Sequence, residues 1–448
     1  MPKKLFPFEG KGRDNLLTFS AGAALNDTGE EMYAPYLSYY ASRLLGVSPA
    51  QYGIIEGVTE AINRILRGIT GSLADRWGRK APVVLGYILI AFSRLGLALV
   101  TGWLGFIPMR GLRQVGRALR DPAREASIAD TIPQNQRGKA FGLLNSVDTM
   151  GAIIGPVIGL LILASVVSGY LTFRFASPDP VADPAQREAL HSAYLWLFMW
   201  ASIPTIISGW IIWLFLKETR PRDFIQPVPL TRRRWRDFLK PILQNVRVYI
   251  ANKPLFHITL AHMALAISAV PLGMIFYYVY GQTDKSGQIT SGIGGDPTHG
   301  SILFIIYAVV HFATSYPAGI IVDRLGRYWS QLLGNILLIV SLFIIAFTHS
   351  PYVMIVPLVL YACFESIWIT ARRSIVADLA PAGARGQTLG TFSMLYGLTS
   401  LLSPILLGTL WTLSTPTFAF CVMGIIGIGA TILLITTRKY ARHSVATP

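Results

Sequence analysis

Stretches of about twenty mostly apolar residues recur along this chain, and a run of that length crosses a bilayer as a helix. Twelve such windows can be read, at 16–42, 52–75, 81–101, 104–128, 139–166, 193–217, 254–280, 300–322, 329–348, 352–378, 386–412 and 416–437. Charged residues make up only 14% of the 448, where a soluble domain carries about 25%. The 41 glycines and 27 prolines are scattered through the apolar runs, which spanning helices tolerate. Disorder is excluded, and so little charge argues against a single water-soluble globule. The expected fold class is an all-α membrane protein of twelve transmembrane helices. Several windows are less apolar than a lone span, so they must line protein or water rather than lipid. The basic start, MPKKLFPFEGKGRDN, leads into a run too long and too acidic for a signal peptide. It reads as an uncleaved first span.

Thirty-nine Lys and Arg against 23 Asp and Glu give a net charge of +16. Short inner loops concentrate Lys and Arg, and one orientation collects nearly all of them. With the N-terminus inside, Lys3, Lys4, Arg76, Arg79, Lys80, Arg137, Lys139, Arg324, Arg327, Arg385 and Arg438 are cytoplasmic. So is the dense stretch around Arg232, Arg233, Arg234 and Arg236. The other side receives Arg43, Arg174, Arg187 and Lys285, diluted by five acids from Asp179 to Asp296. Both termini are therefore expected in the cytoplasm, and the basicity reflects topology rather than nucleic-acid binding. The polar, glycine-rich stretch 281–300 reads as a flexible outer loop.

The basic connector 218–253 divides the chain into bundles at 1–217 and 254–448. One offset, 248 residues, aligns the halves: GSLADRWGRK at 71–80 lies over GIIVDRLGRY at 319–328. Without a gap the register also matches Gly86/Gly334, Arg124/Arg372, Asp130/Asp378, Pro133/Pro381, Arg137/Arg385, Gly142/Gly390 and Pro156/Pro404. Chance does not hold one register over that length. Both Asp-Arg motifs follow an even-numbered span that ends inside, so the repeat is parallel. Such six-plus-six repeats carry solute sites near the midplane.

These residues resemble the major facilitator superfamily over essentially the whole chain. GSLADRWGRK is similar to that family's signature between spans two and three, and GIIVDRLGRY to its weaker echo between spans eight and nine. Gly142, Gly151, Gly155, Pro156 and Gly159 in span five are similar to a motif of the family's antiporters, drug/proton exporters included. The motif's second terminal glycine is Leu160 here. RQVGRALRDPAREASIAD at 113–130 resembles span four of bacterial exporter-like members. The resemblance implies a transporter of the bacterial-type inner membrane, with two six-helix bundles that expose the solute alternately to each side.

Gly71, Asp75, Arg76, Gly78, Arg79, Asp130, Asp323, Arg324 and Arg327 are the expected cytoplasmic gate. A carboxylate at an inner helix end can accept from a neighbouring helix N-terminus, and the arginines can pair with acids such as Asp130. A plain turn with inner-side arginines is the simpler alternative. Gly151, Gly155 and Gly159 form overlapping GxxxG patterns, which by themselves mean close helix packing.

Ionisable side chains cost at least about 2.5–3.5 kcal/mol at mid-membrane, so those in the first bundle must pair or face water. Span one carries Asn26, Asp27, Glu30 and Glu31; span two carries Glu56, Glu60, Asn63, Arg64 and Arg67. Span four carries a stripe of Arg110, Arg113, Arg117, Arg120 and Arg124. A salt-bridge lattice, with Glu60–Arg64 as an i,i+4 pair, explains most of them. Asp27, Glu30, Glu31, Glu60 and Glu365 are the candidates for proton coupling. Arg64, Arg113 and Arg117, with Tyr36, Tyr307 and Trp368, are the candidates for the solute cavity. In the second bundle the deep groups are His257, His262, His311 and Glu365, the histidines reading mainly as hydrogen-bonded contacts. That bundle is expected to supply a more apolar wall.

Cys363 and Cys421 are isolated, and there is no GxxxxGK[ST], HExxH or GxSxG, so neither a metal nor a cofactor is implied. The expected activity is proton-coupled export of a small organic solute. The alternative is proton- or cation-coupled uptake of an organic anion, and a receptor or membrane enzyme on the same scaffold stands behind both. The expected partners are the solute, protons and the bilayer, with no obligate protein partner and no nucleic acid.

Overall fold

The computed structural model describes residues 10–166, 184–219, 246, 249–283, 289–380 and 385–437. The first span is α1 (Gly10–Glu31) and α2 (Ala34–Tyr39), followed by a widened turn, Tyr40–Leu44. Spans two to six are α3 (Pro49–Trp77), α4 (Lys80–Leu97), α5 (Trp103–Thr131), α6 (Gln134–Val166) and α7 (Pro184–Phe215). Span seven is split into α8 (Lys253–Ser268) and α9 (Leu272–Tyr280), and spans eight to ten are α10 (Pro297–Leu325), α11 (Arg327–Phe347) and α12 (Ile355–Asp378). Span eleven is split into α13 (Arg385–Ser400) and α14 (Leu402–Leu413), and α15 (Pro416–Thr436) is the last.

The broken spans follow from proline, which supplies no amide hydrogen and interrupts the helical ladder. Pro271 ends the first half of span seven, and the freed carbonyls are taken up by side chains. Ser403 Oγ donates to Ala269 O at 2.9 Å and Tyr361 Oη to Val270 O at 2.7 Å. A bilayer would leave those groups unsatisfied, so neighbouring helices must serve them.

Among the described residues nine helical stretches are long and apolar enough to cross a membrane by composition alone. Spans one, two and four do not meet that standard, and these are the spans that carry the ionic residues.

Contacts divide the chain into two compact units, Met1–Tyr40 with Leu66–Val228, and Ala41–Ile65 with Pro229–Pro448. The expected boundary at 218–253 therefore has an addition: residues 41–65 group with unit two. In that unit Gly53 and Gly57 lie against the Leu401–Ile405 backbone, with no room for a side chain between. Most of 218–253, including Arg232 to Arg236, lies outside the described residues.

In unit one α1 packs on α6 and α7, and α4 on α5 and α7. In unit two α8 packs on α13 and α15, and α11 on α12 and α15. Counted by span, each pairing in unit one recurs six spans later in unit two. The 248-residue register survives at atomic scale. A Cβ on Gly86 would stand 2.8 Å from Arg120 Cβ, and one on Gly334 would stand 3.2 Å from Trp368 Cβ, residues also 248 apart. Gly78 and Gly326, another such pair, both take positive φ, +83° and +82°, as the tight turn between two spans requires of glycine.

The stretch 281–300, expected to be a flexible loop, is partly built. Gln282–Thr283 pairs antiparallel with Ile289–Ser291, and Asp296 caps α10 in a reciprocal box with His299. Apolar spans on either side had hidden this short hairpin in polar composition.

Candidate functional site

Unit one holds most of the buried charge, and its acids fall into two groups. Glu30 on α1 is clamped by two arginines: Arg94 Nη2 lies 2.7 Å from Oε2 and Arg113 binds Oε1. Arg94 is fully buried on α4 and also donates to Asn26 O at 3.1 Å, Ala201 O at 3.1 Å and the Thr205 hydroxyl. One guanidinium thus ties α1, α4 and α7 together. Asp121 on α5 is held in the same way, by Arg120 Nε at 2.8 Å and by Arg67. Charges so paired and hydrogen-bonded form a fixed lattice.

The second group stands outside the clamps. Asp27 accepts from its neighbour Asn26 at 2.7 Å, and its carboxyl faces that of Asp148 on α6. Arg124 Nη2 lies 3.7 Å from Asp148, at the edge of pairing distance. Glu31 keeps Oε2 buried without a hydrogen-bond partner. Arg117, expected to meet a solute, has no ion pair within 4 Å among the described residues.

The span-five motif lies directly against these acids. A Cβ on Gly151 would stand 2.7 Å from Thr28 N, one on Gly155 would stand 2.7 Å from Glu31 Cβ, and one on Gly159 would overlap the Met32 carbonyl. The Pro156 carbonyl accepts from Tyr36 Oη. Three glycines and a proline therefore set the distance between α6 and the acidic segment of α1. Gly142 does not belong to that contact: it is exposed, with nothing within 4 Å of its would-be side chain. Tyr36, expected in a cavity wall, is instead fully buried by this packing.

At the helix ends expected on the inner side, Arg79 Nε pairs with Asp130 Oδ2 at 3.0 Å. Arg327 pairs with Asp378, the same two positions 248 residues later. The carboxylate expected at the α4 N-terminus is supplied by Glu218, which accepts from Arg79 N at 2.9 Å and Lys80 N at 3.0 Å. Gly71, Asp75 and Arg76 lie on α3, but their side chains fall outside the described residues. Asp323 and Arg324 are exposed.

Unit two gathers a smaller set. Glu60 and Arg64, expected with the first bundle, belong to this unit and form the i,i+4 pair at 2.8 Å. Arg64 also lies 4.9 Å from the Tyr396 ring centre. Tyr307 donates to Glu365 and stacks on His311, with ring centres 5.9 Å apart. Arg372 lies over three rings, 4.1 Å from Trp368, 4.6 Å from Tyr396 and 5.6 Å from Phe392. Trp368, expected to face a cavity, is 4% exposed beneath it. Behind the rings His262 donates through Nδ1 to the Ile258 carbonyl at 2.7 Å, the helix contact expected of a membrane histidine.

Arg94, Asp121 and Asp148 were not singled out by sequence, and Arg372 was named only as the match of Arg124. Arg94 and Asp148 were findable, because each is a lone ionisable group in an apolar window and such groups are functional or paired by default. Among the described residues no cluster of three His, Cys, Asp or Glu stands ready to hold a metal.

The family model described as Major Facilitator Superfamily matches residues 19–293 and 285–448. The chain belongs to that superfamily. It is a multi-pass membrane transporter of small-molecule solutes, and the two repeated units are the superfamily's fold. An uncharacterized MFS-type transporter of Methanocaldococcus jannaschii, MJ1317, is 26% identical over 414 residues, 92% of each chain. The multidrug resistance protein MdtH of Proteus mirabilis is 23% identical, covering 80% of this chain and 76% of its own. A Na(+), Li(+), K(+)/H(+) antiporter of Planococcus maritimus is 20% identical over 86% of both chains. Among solved structures, a POT family transporter in complex with 5-aminolevulinic acid superposes with a TM-score of 0.71 at 15% identity, covering 95% of this chain and 96% of the other. That likeness concerns the fold.

Proposed function

We propose that the protein exports a small organic solute in exchange for protons, and that Asp27 and Asp148 carry the proton. One observation carries the reading: these two carboxyls face each other outside the arginine lattice that holds Glu30 and Asp121. A proton between facing carboxyls removes the repulsion of two like charges. Arg124, 3.7 Å away, can replace that proton by moving closer. The glycines at 151 and 155 keep the pair on adjoining helices, so a shift of α1 against α6 changes its geometry. Glu31 is the second candidate; Glu30 and Glu60 serve as structural partners, and Glu365 is engaged by Tyr307.

Relatives named as a multidrug resistance protein and a cation/proton antiporter support exchange. The Arg79–Asp130 and Arg327–Asp378 pairs at the inner ends are proposed to break and re-form as access alternates. The distribution of Lys and Arg supports cytoplasmic termini, and the Proteus mirabilis relative supports a bacterial-type inner membrane.

Purified protein in liposomes with a trapped pH dye tests this. Organic cations, anions and neutral amphiphiles are added outside without a gradient. Alkalinisation of the lumen, lost in Asp27→Asn and Asp148→Asn, is the expected result. Acidification would mean symport and would overturn the exchange reading.

A further inference from the structure

We propose that Arg372, with the rings of Trp368, Phe392 and Tyr396, forms a binding site for the acidic group of an aromatic organic anion. This names the solute class; it rests on the protein's being a solute transporter but not on the proton exchange proposed above.

Arg64, Arg94, Arg120 and Arg372 each lie over an aromatic ring. Three of them also hold a carboxylate: Arg64 with Glu60 at 2.8 Å, Arg94 with Glu30 at 2.7 Å and Arg120 with Asp121 at 2.8 Å. Arg372 stacks on three rings and has no carboxylate within 4 Å among the described residues. A ring face attracts a cation but carries no net charge, so the guanidinium is not neutralised. An ionisable group within a membrane span pairs or marks a site.

The internal repeat shows what is missing. Arg372 is the copy of Arg124, whose acid is Asp148. The residue 248 places after Asp148 is Tyr396, and Tyr396 is one of the rings over which Arg372 lies. Unit two has kept the arginine and exchanged its acid for an aromatic. Arg372 is only partly buried. A carboxylate, sulfonate or phosphate would complete the charge, bidentately where its geometry allows. An aromatic body beside that group would extend the ring stack. Arg64, 4.9 Å from the centre of the same Tyr396 ring, adds positive field to the place.

The test uses the purified full chain and three probes with one ring system: 1-naphthoate, 1-naphthylmethylammonium and 1-naphthylmethanol. Titration calorimetry should show naphthoate binding at least tenfold tighter than the other two. Arg372→Gln should remove that preference, while Arg372→Lys and the exposed neighbour Arg373→Gln retain it. Tyr396→Asp, which restores the acid of unit one, should also remove it, and it covers the case in which Arg372→Gln does not fold. Equal binding of the three probes by the native protein would overturn the proposal, as would a preference undiminished in Arg372→Gln or Tyr396→Asp. Naphthoate binding without any lumenal pH change would retire the exchange reading and support this site. Proton movement driven by the cation or the alcohol, with no naphthoate preference, would overturn this site and leave exchange standing.

Discussion

Asp27 and Glu30 lie one turn apart on α1, and their surroundings differ: two arginines hold Glu30, while Asp27 accepts from Asn26. Glu30 neutralises two buried arginines, so Glu30→Gln strands both. Breaking a buried ion pair costs about 3–5 kcal/mol, and the variant should lose yield and melt early in detergent. Asp27→Asn leaves every clamp intact; it should melt within a degree or two of the native protein while losing proton movement. Equal melting losses in both variants would place Asp27 in the lattice. The sequence displayed both acids at helical spacing but could not separate them, because the partner that decides the matter, Arg94, lies 64 positions away on another helix. Outside the membrane a second titrating group is simpler. Burial pushes the Asp296 carboxyl up, but hydrogen bonds from the His299 side chain and backbone outweigh it and hold the group below the usual carboxylate range. A depressed folded-state value means that its stabilisation is present above the unfolded value, about 3.9, and is lost as pH falls through the folded one. The protection of amides from exchange at the start of α10, relative to the unfolded chain, should therefore be high at neutral pH and fall only in strong acid. Asp296→Ala, which removes the cap at a cost of about 0.5–2 kcal/mol, should show the lowered protection at every pH.

Between α1 and α6 the span-five motif divides into parts with different work. Gly151, Gly155 and Gly159 have the α1 backbone or the Cβ of Glu31 where their own side chains would stand. Gly155→Ala or Gly159→Ala must push the helices apart, at about 1–3 kcal/mol for an overfilled contact. It should also move Asp27 away from Asp148, so proton movement should fall further than stability alone explains. Gly142→Ala meets open space and gains helix propensity of about 0.8–1 kcal/mol; its melting temperature should hold or rise. Thermal melts of the three variants beside the dye assay check the set, and a loss in Gly142→Ala equal to that in Gly159→Ala would refute the division. The GxxxG spacing made the packing legible before any coordinates, because small residues four apart line one face. That Gly142 stands outside the α1 contact was not legible, since nothing local separates a glycine packed on α1 from one that is not. The breaks in spans one, seven and eleven were equally hidden: each apolar run reads straight through, and only the partners of the freed carbonyls show why the chain can afford them.

Across the whole molecule the repeat was the most legible feature, and it is also the most useful control. Matching residues at one offset anticipated that Arg79 and Asp130, and Arg327 and Asp378, are equivalent; the structure pairs both. It could not anticipate how the copies differ, because an alignment records what is kept. The replacement of Asp148 by Tyr396, and the grouping of residues 41–65 with unit two, emerge only when the two units are set side by side in space. The paired clasps make the asymmetry measurable. In unit one Arg79 is 7% exposed at its side chain and Asp130 36%; in unit two Arg327 is 44% exposed and Asp378 35%. Exposed pairs are worth about 0.2–1 kcal/mol, and burying the arginine takes the unit-one pair toward the upper end. Double-mutant cycles with alanine should give a coupling of about 1 kcal/mol for Arg79–Asp130 and under about 0.5 for Arg327–Asp378. The larger value should shrink less in high salt, because a buried guanidinium is screened less. Equal couplings would mean that the two inner ends do the same work. Unequal ones would mean that the repeat kept the geometry of the clasp while its strength came to differ between the units, as the partners of Arg124 and Arg372 differ.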